Sequence, residues 1–145
     1  MAIKNILVVH GPNLNLLGKR EPGHYGKSTL KNINDLMISE ANKLNVEIEI
    51  FQSNSELEII ETIQNNTANF LVINPAAFTH TSVAIRDAIA AKQIPFIEVH
   101  LSNVFARELF RKESFLSDLA IGVISGLGDE GYLAALRYAV KKNEI

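Results

Sequence analysis

Short apolar runs that alternate with amphipathic segments are the feature that most constrains how this sequence can fold. The runs are rich in β-branched residues and lie at residues 6–9, 70–73, 96–99 and 120–124. Uninterrupted apolar runs of this length are typical of parallel strands that are buried on both faces. Residues 46–51 instead alternate apolar side chains with Glu47 and Glu49, which predicts an edge strand half open to water.

The segments between these runs carry apolar residues near the 3.6-residue period of an α-helix. They predict one helix capped by Thr29 and further helices over residues 56–64, 82–91 and 129–140. The second helix is expected to bury Leu57, and the third to bury Val83 with the alanines on its face. Strands that alternate with helices imply right-handed crossovers and a parallel sheet covered on both sides. The predicted fold is α/β, a flavodoxin-like doubly wound five-stranded parallel sheet of order 2-1-3-4-5, in one domain over residues 1–145.

Composition excludes several functional classes. The chain has no cysteine, which removes disulfides, thiolate metal sites and a thiol nucleophile. Its 14 Lys and Arg against 16 Asp and Glu give no basic surface for nucleic acid. No apolar stretch approaches the ~18 residues of a membrane span, and the start is too short for a signal peptide, so a cytoplasmic location is expected. A mean hydropathy of +0.09 requires a sheet buried on both sides or contacts between copies of the chain.

A doubly wound sheet binds ligands beyond the carboxyl ends of its strands, next to the switch point between strands 1 and 3. The connection after strand 1, residues 10–26, is long for this fold and suits a lid or binding loop. It contains Arg20 and Tyr25, and a nearby cation would lower the pKa of the phenol toward that of a usable base. Residue spacing alone leaves the alternative open that Tyr25 is a packed aromatic and Arg20 a solvated charge.

The connections after strands 3 and 4 supply further polar groups. His80 follows strand 3, where it suits helix capping, packing or ligand contact equally well. Arg86 and Asp87 are adjacent on the next helix and point in different directions, so they are not expected to pair with each other, and simple exposure of both is the alternative. At the end of strand 4, Glu98 and His100 are two residues apart and share one face, so the buried carboxylate can orient the imidazole for acid–base chemistry. A structural Glu–His pair is the alternative.

Arg107 and Arg111 follow at a spacing that would place them on one helical face, where they suit a carboxylate or a polyhydroxylated anion. Surface ion pairs with Glu108 and Glu113 are the alternative. The glycine-rich stretch at residues 126–131 is interpreted as a turn, because it follows the fifth strand and no sixth strand completes a dinucleotide site. Ligand spacing does not support a metal site formed by His80, Glu98 and His100, so no metal is predicted.

The predicted ligand edge contains long specific motifs: GPNLNLLGKREPGHYG at residues 11–26, a QSNSE segment at 52–56, INPAAFTHTSVAIRDA at 73–88 and PFIEVHLSNVFARELFR at 95–111. On these motifs the chain resembles the type II 3-dehydroquinate dehydratases over essentially its whole length. His10 stands where relatives often have Asn, and Ser55 stands where many have His. The resemblance implies a hydro-lyase of the shikimate pathway of aromatic amino acid biosynthesis, which needs no cofactor.

The family dehydrates 3-dehydroquinate to 3-dehydroshikimate by anti elimination through an enolate. By resemblance, Tyr25 is the general base, Arg20 is the cation that favours its phenolate, and His100 held by Glu98 is the acid. Asn13 is expected to act on the enolate through a water, and Arg107 is a second cation near the base. The residues that resemble substrate-binding positions are Asn74, His80, Asp87, Leu101, Ser102 and Arg111.

The resemblance also implies an assembly of trimers packed into a dodecamer, in which Asp87 reaches into the site of a neighbouring copy. An assembly of this kind would account for the high mean hydropathy. The rival class is a non-catalytic flavodoxin-like module that binds a small anion at the same arginine-rich edge.

Overall fold

The five predicted strands form one parallel sheet in a computed structural model, which describes residues 5–19, 23 and 28–142. The strands are β1 (Asn5–His10), β2 (Glu47–Gln52), β3 (Phe70–Asn74), β4 (Phe96–His100) and β5 (Gly122–Ser125). Their order across the sheet is β2-β1-β3-β4-β5, and every neighbouring pair is parallel. The predicted fold class and strand order are therefore confirmed.

Among the residues that the structure describes, four α-helices cover the two faces of this sheet: α1 (Leu30–Leu44), α2 (Glu56–Asn65), α3 (Val83–Lys92) and α4 (Glu130–Lys141). On one face, α1 and α4 pack over Ile6, Val8 and Val72. On the other face, α2 and α3 pack over Leu7, Val9 and Leu71. Alternate residues of β1 and β3 thus enter opposite layers of the core, which explains why residues 6–9 and 70–73 contain no polar residue.

The start of α1 follows the prediction from Thr29. The Thr29 hydroxyl accepts a hydrogen bond from the Asn32 N–H at 3.1 Å, and the Asn32 side chain accepts the Thr29 N–H at 3.0 Å. This reciprocal pair satisfies amide groups that would otherwise have no partner at the end of the helix. An N-cap of this kind contributes about 0.5–2 kcal/mol to stability.

The buried faces of α2 and α3 differ from the prediction. Leu57 is 63% exposed and Val83 is 53% exposed, so neither faces the core. Ile59 and Ile63 are buried in α2, and α3 buries Ile85 with Ala88 and Ile89. The helical period fixes the spacing of the buried stripe, but it does not determine which of several adjacent apolar residues faces the sheet.

Of the two edge strands, β2 has the predicted exposure and β5 does not. β2 lies at one edge with Glu47 and Glu49 exposed, as its alternating pattern predicts. β5 was expected to be buried on both faces, but it is the other edge strand, and Val123 is 44% exposed. A single sequence does not reveal whether an apolar strand is covered by its own chain or left open at an edge.

The ends of β1 and β3 meet at the predicted switch point. The Gly11 N–H donates to the Asn74 carbonyl oxygen at 2.8 Å. A Cβ atom on residue 11 would lie only 2.4 Å from the Pro75 carbonyl oxygen, so no residue larger than glycine fits without displacing the backbone. This close approach brings the connections after β1 and β3 together. Among the described residues, no helix combines the length and the apolar character that crossing a membrane requires.

Candidate active site

A cleft lies at the carboxyl edge of the sheet, where the connections after β1, β3 and β4 converge. It spans about 490 Å³, open solvent included. Its lining includes most of the predicted site residues: Asn13, Asn74, His80, His100, Leu101, Ser102, Arg107 and Arg111. The structure thus brings together, in one cleft, side chains that come from three separate parts of the sequence.

The carboxyl end of strand β4 carries a buried Glu–His pair. The His100 Nε2–H donates to Glu98 Oε2 at 2.5 Å, and the Glu98 side chain is fully buried. Burial alone would raise the pKa of Glu98, but hydrogen bonds from His100, Ser117 and Ser114 outweigh it and hold the pKa below its ordinary value. Glu98 therefore stays ionised at neutral pH, fixes the hydrogen on His100 Nε2, and leaves Nδ1 available to a ligand.

Ser114 and Ser117 support the Glu–His pair, although the sequence did not single them out. Their hydroxyl groups donate to Glu98 Oε1 at 3.0 and 2.8 Å, so both carboxylate oxygens are hydrogen-bonded. They lie well beyond the strand end that carries Glu98, in a segment without regular structure. Proximity in sequence could not have identified them.

The segment that carries these serines is tied down by Arg86. Arg86 forms a two-pronged ion pair with Asp118, with Nη2 to Oδ2 at 2.9 Å, and its Nη1 also donates to the Phe115 carbonyl oxygen at 2.8 Å. The Phe115 N–H donates to the Thr79 carbonyl oxygen at 2.9 Å. Simple exposure, the alternative for Arg86, does not hold, because Arg86 is a tether for the segment that holds Glu98.

The two arginines reach the cleft in a different way from the prediction. They do not lie on one helix: Arg111 belongs to a 3-10 turn (Leu109–Lys112), and Arg107 lies in extended backbone after another (Val104–Ala106). The Arg107 side chain is only 4% exposed, and its Nη1 lies 3.4 Å from Ser102 Oγ. Arg111 Nε donates to Glu108 Oε2 at 3.1 Å, so the ion-pair alternative also holds for that residue. Both guanidinium groups still line the cleft, which favours an anionic ligand.

His80 presents a second imidazole to the cleft. Its Nδ1–H donates to the Glu113 carbonyl oxygen at 2.7 Å. Burial lowers the pKa of His80, and the hydrogen bond to the Glu113 carbonyl oxygen only partly offsets this effect. The ring is thus neutral at neutral pH, with Nε2 left to accept a hydrogen bond from a ligand hydroxyl.

The loop after β1 places Asn13 at the cleft. Asn13 has a φ of 69°, a left-handed conformation that Asn tolerates better than most residues. Its N–H donates to Asn54 Oδ1 at 2.9 Å, which links this loop to the one after β2. Ser55, one of the departures from the family motif, accepts the Glu58 N–H at 3.2 Å and caps α2.

The glycine-rich stretch before α4 is a turn, as interpreted from the sequence. Gly126 and Gly128 have φ values of 90° and 60°, which other residues adopt with strain. Their N–H groups donate to the carbonyl oxygens of His100 and Leu101 at 3.3 and 3.1 Å. The turn therefore fixes the backbone after β4, and Leu101 and Ser102 of that backbone line the cleft.

A buried polar network supports Asn74 from behind the cleft. His10 Nδ1 lies 3.1 Å from the Tyr132 hydroxyl, and His10 Nε2 lies 2.9 Å from Asn34 Oδ1. The Asn74 Nδ2–H donates to the Tyr132 hydroxyl at 3.0 Å. Burial lowers the pKa of His10 to about 4 and raises that of Tyr132 above its usual range. Neither residue was singled out from the sequence as a site residue.

The lowered pKa of His10 predicts a loss of stability in acid. Between about pH 6.5 and 4 the unfolded chain binds a proton on His10 that the folded chain does not, so the free energy of unfolding decreases as the pH is lowered. The shift corresponds to about 3 kcal/mol over this window. Urea unfolding of the wild type and of His10→Asn between pH 7 and 4 measures this difference. Parallel pH profiles for the two proteins would contradict it.

Four predicted site residues do not line this cleft or are not described. One of them, Glu98, is buried and contacts His100. Asp87 is exposed on α3 and does not line the cleft. Arg20 and Tyr25 lie outside the described residues. Within residues 5–19, 23 and 28–142, no three His, Asp or Glu side chains are grouped so that they could hold a metal ion.

The fold and the cleft define a class of protein: a doubly wound α/β domain with a Glu–His pair and two arginines at its switch point. The family model for class II dehydroquinases matches residues 4–140. The chain belongs to this family, and the predicted enzyme class, a hydro-lyase, is confirmed.

Individual relatives resemble the chain over nearly its full length. The 3-dehydroquinate dehydratase of Shewanella woodyi is 62% identical over 137 residues, which cover 94% of this chain and 92% of the relative. That of Legionella pneumophila is 55% identical over 143 residues, covering 97% and 99%. The crystal structure of the type II dehydroquinase from Butyrivibrio crossotus superposes with a TM-score of 0.92 at 42% identity, covering 94% and 97%.

Proposed function

We propose that this protein dehydrates 3-dehydroquinate to 3-dehydroshikimate in the shikimate pathway, by anti elimination through an enolate. The observation that carries the proposal is the buried Glu98–His100 pair, which faces the same cleft as Arg107 and Arg111. The names of the relatives supply the substrate. An acid beside an anion-binding wall is what loss of water from a hydroxylated carboxylate requires.

His100 is the proposed general acid. Ionised Glu98 accepts the Nε2–H and stabilises the positive charge that forms when Nδ1 also carries a proton. A proton on Nδ1 can pass to the departing hydroxyl of the substrate, which leaves as water. Because both oxygens of Glu98 are hydrogen-bonded, the imidazole is held in one orientation throughout.

The substrate-binding groups surround this acid. Arg111 and the Leu101–Ser102 backbone are proposed to hold the carboxylate, since the guanidinium group and the fixed segment after β4 lie in the cleft wall. His80 is proposed to accept a hydrogen bond from a ring hydroxyl through Nε2. Asn74 contributes an amide from the end of β3.

The residues proposed to remove the proton belong to the motif at residues 11–26. Tyr25 is proposed to remove the proton next to the ketone, with Arg20 favouring its phenolate. Asn13 lies in the cleft wall and is proposed to hold a water on the enolate oxygen. Arg107 in the same wall is a second cation that lowers the free energy of the anionic groups.

We further propose that the chain assembles into trimers that pack as a dodecamer. Asp87 is exposed and does not line its own cleft, which suits a role in the cleft of a neighbouring copy. Phe105, Leu109 and Phe110 stand exposed beside the cleft, and apolar groups of this size favour a covered surface. The cytoplasmic location stays a prediction from the sequence.

Addition of 3-dehydroquinate to the purified protein tests the reaction. The product is a conjugated enone, whereas the substrate is an isolated ketone, so ultraviolet absorbance should rise at a rate proportional to enzyme concentration. Calorimetry on the same sample measures binding independently. Heat of binding without any rise in absorbance would favour the non-catalytic anion-binding module and contradict the proposed function.

A further inference from the structure

We infer that His10 and Tyr132 are positioning residues that force the Asn74 side chain to present an N–H to the substrate. This inference rests on the proposed function, because it assigns a binding role to Asn74. The three side chains form a continuous buried chain from α1 to the cleft. None of the roles assigned above explains these buried hydrogen bonds.

The donor and acceptor of each hydrogen bond in this buried network can be assigned in only one way. Asn34 Oδ1 can only accept, so His10 Nε2 carries the hydrogen and, since the buried ring is neutral, Nδ1 is an acceptor. The Tyr132 hydroxyl must then donate to Nδ1, and its oxygen is left to accept from Asn74. The Asn74 amide can therefore meet Tyr132 only with its nitrogen.

A second hydrogen bond fixes the oxygen of the Asn74 amide and favours the same orientation. The Ala76 N–H donates to Asn74 Oδ1 at 3.1 Å. Asn74 lies opposite His10 in the β1–β3 ladder, and all three network side chains are at most 3% exposed, so water does not compete for these bonds. An amide nitrogen carries two hydrogens, and within the described residues only one is bound, to Tyr132.

Specificity follows from this orientation. If His10 could not accept, the Tyr132 hydrogen would be free to turn toward Asn74, and only the Ala76 N–H would oppose rotation of the amide. With His10 in place, the cleft wall at Asn74 offers a donor and so selects an oxygen that accepts, such as a carboxylate or hydroxyl oxygen. This contact is remote from the bonds that change, so it should affect the ground state and the transition state alike.

Steady-state kinetics of His10→Leu and Tyr132→Phe test the inference. Each variant should raise KM for 3-dehydroquinate about five- to tenfold, the loss expected for one neutral hydrogen bond, with little change in kcat. His10→Asn should restore most of the affinity, because its Oδ1 lies near the position of Nδ1 and can accept from Tyr132. In an Asn74→Ala background, His10→Leu should add no further increase.

Two results would overturn the inference: an unchanged KM in folded Tyr132→Phe, or an equal further rise when His10→Leu is added to Asn74→Ala. Tyr132→Phe keeps the buried ring and carries the test if His10→Leu does not fold. Calorimetric affinity for 3-dehydroquinate separates the two hypotheses. A wild type that binds without turnover contradicts the proposed function, and weaker binding by the variants would still support the positioning role.

Discussion

Replacement of His100 by alanine is expected to lower kcat for 3-dehydroquinate about 10²- to 10⁴-fold, the range typical for loss of a general acid. The proton next to the ketone should still be removed, because that step is assigned to Tyr25, a different residue. Without the acid, the hydroxyl leaves poorly and the enolate returns to substrate. The variant should therefore exchange this proton with solvent without forming product.

Proton NMR of 3-dehydroquinate in D₂O with the His100→Ala protein measures that exchange, and enone absorbance measures product. Tyr25→Phe is the matched control, since it should lose both exchange and product formation while keeping the fold. Loss of exchange in His100→Ala together with retained exchange in Tyr25→Phe would reverse the two assignments. Near-normal turnover of His100→Ala would remove His100 from the mechanism.

Substitution of Gly11 by alanine is expected to destabilise the protein by about 3 kcal/mol or more, or to prevent folding. The added methyl group would lie 2.4 Å from the Pro75 carbonyl oxygen and 2.6 Å from its carbon, both backbone atoms. Relief of that overlap requires β1 and β3 to separate where the Gly11 N–H meets the Asn74 carbonyl oxygen. The sheet and the cleft would be disturbed together.

Gly122→Ala is the control for this prediction. Among the described residues, apart from its two neighbours in the chain, no heavy atom lies within 4 Å of a Cβ built on Gly122, so its effect on the free energy of unfolding should stay within about 1 kcal/mol. Chemical denaturation of both variants, followed by circular dichroism, gives the comparison. Equal stability of the two variants would show that the β1–β3 junction tolerates a side chain.

The parts of the structure that were predicted correctly depend on local patterns. The apolar runs gave the strands, and their alternation with helices gave the order of the sheet, because right-handed crossovers permit few arrangements. Glu98 and His100 were paired from a spacing of two in one strand, and the structure places them in contact. The location of the cleft followed from the rule that ligands bind at strand carboxyl ends.

The parts that were missed depend on contacts between distant segments. His10 and Tyr132 are 122 residues apart, and nothing local to either residue indicates the other. Ser117 reaches Glu98 from a segment without helix or strand periodicity. Arg107 and Arg111 were placed on one helix because their spacing suits it, yet two 3-10 turns bring them to the cleft instead.

The exposed edge at β5 has a consequence for how the protein must be handled. Residues 119–125 contain no charged residue and no proline, the features that usually prevent edge strands from pairing with other chains. Within the part of the chain that the structure describes, β5 pairs with β4 alone, and Val123 is exposed beside it. A copy left uncovered at this edge is therefore a template for strand-to-strand aggregation. Coverage of β5 by other copies would protect the protein at high concentration as well as complete its surface.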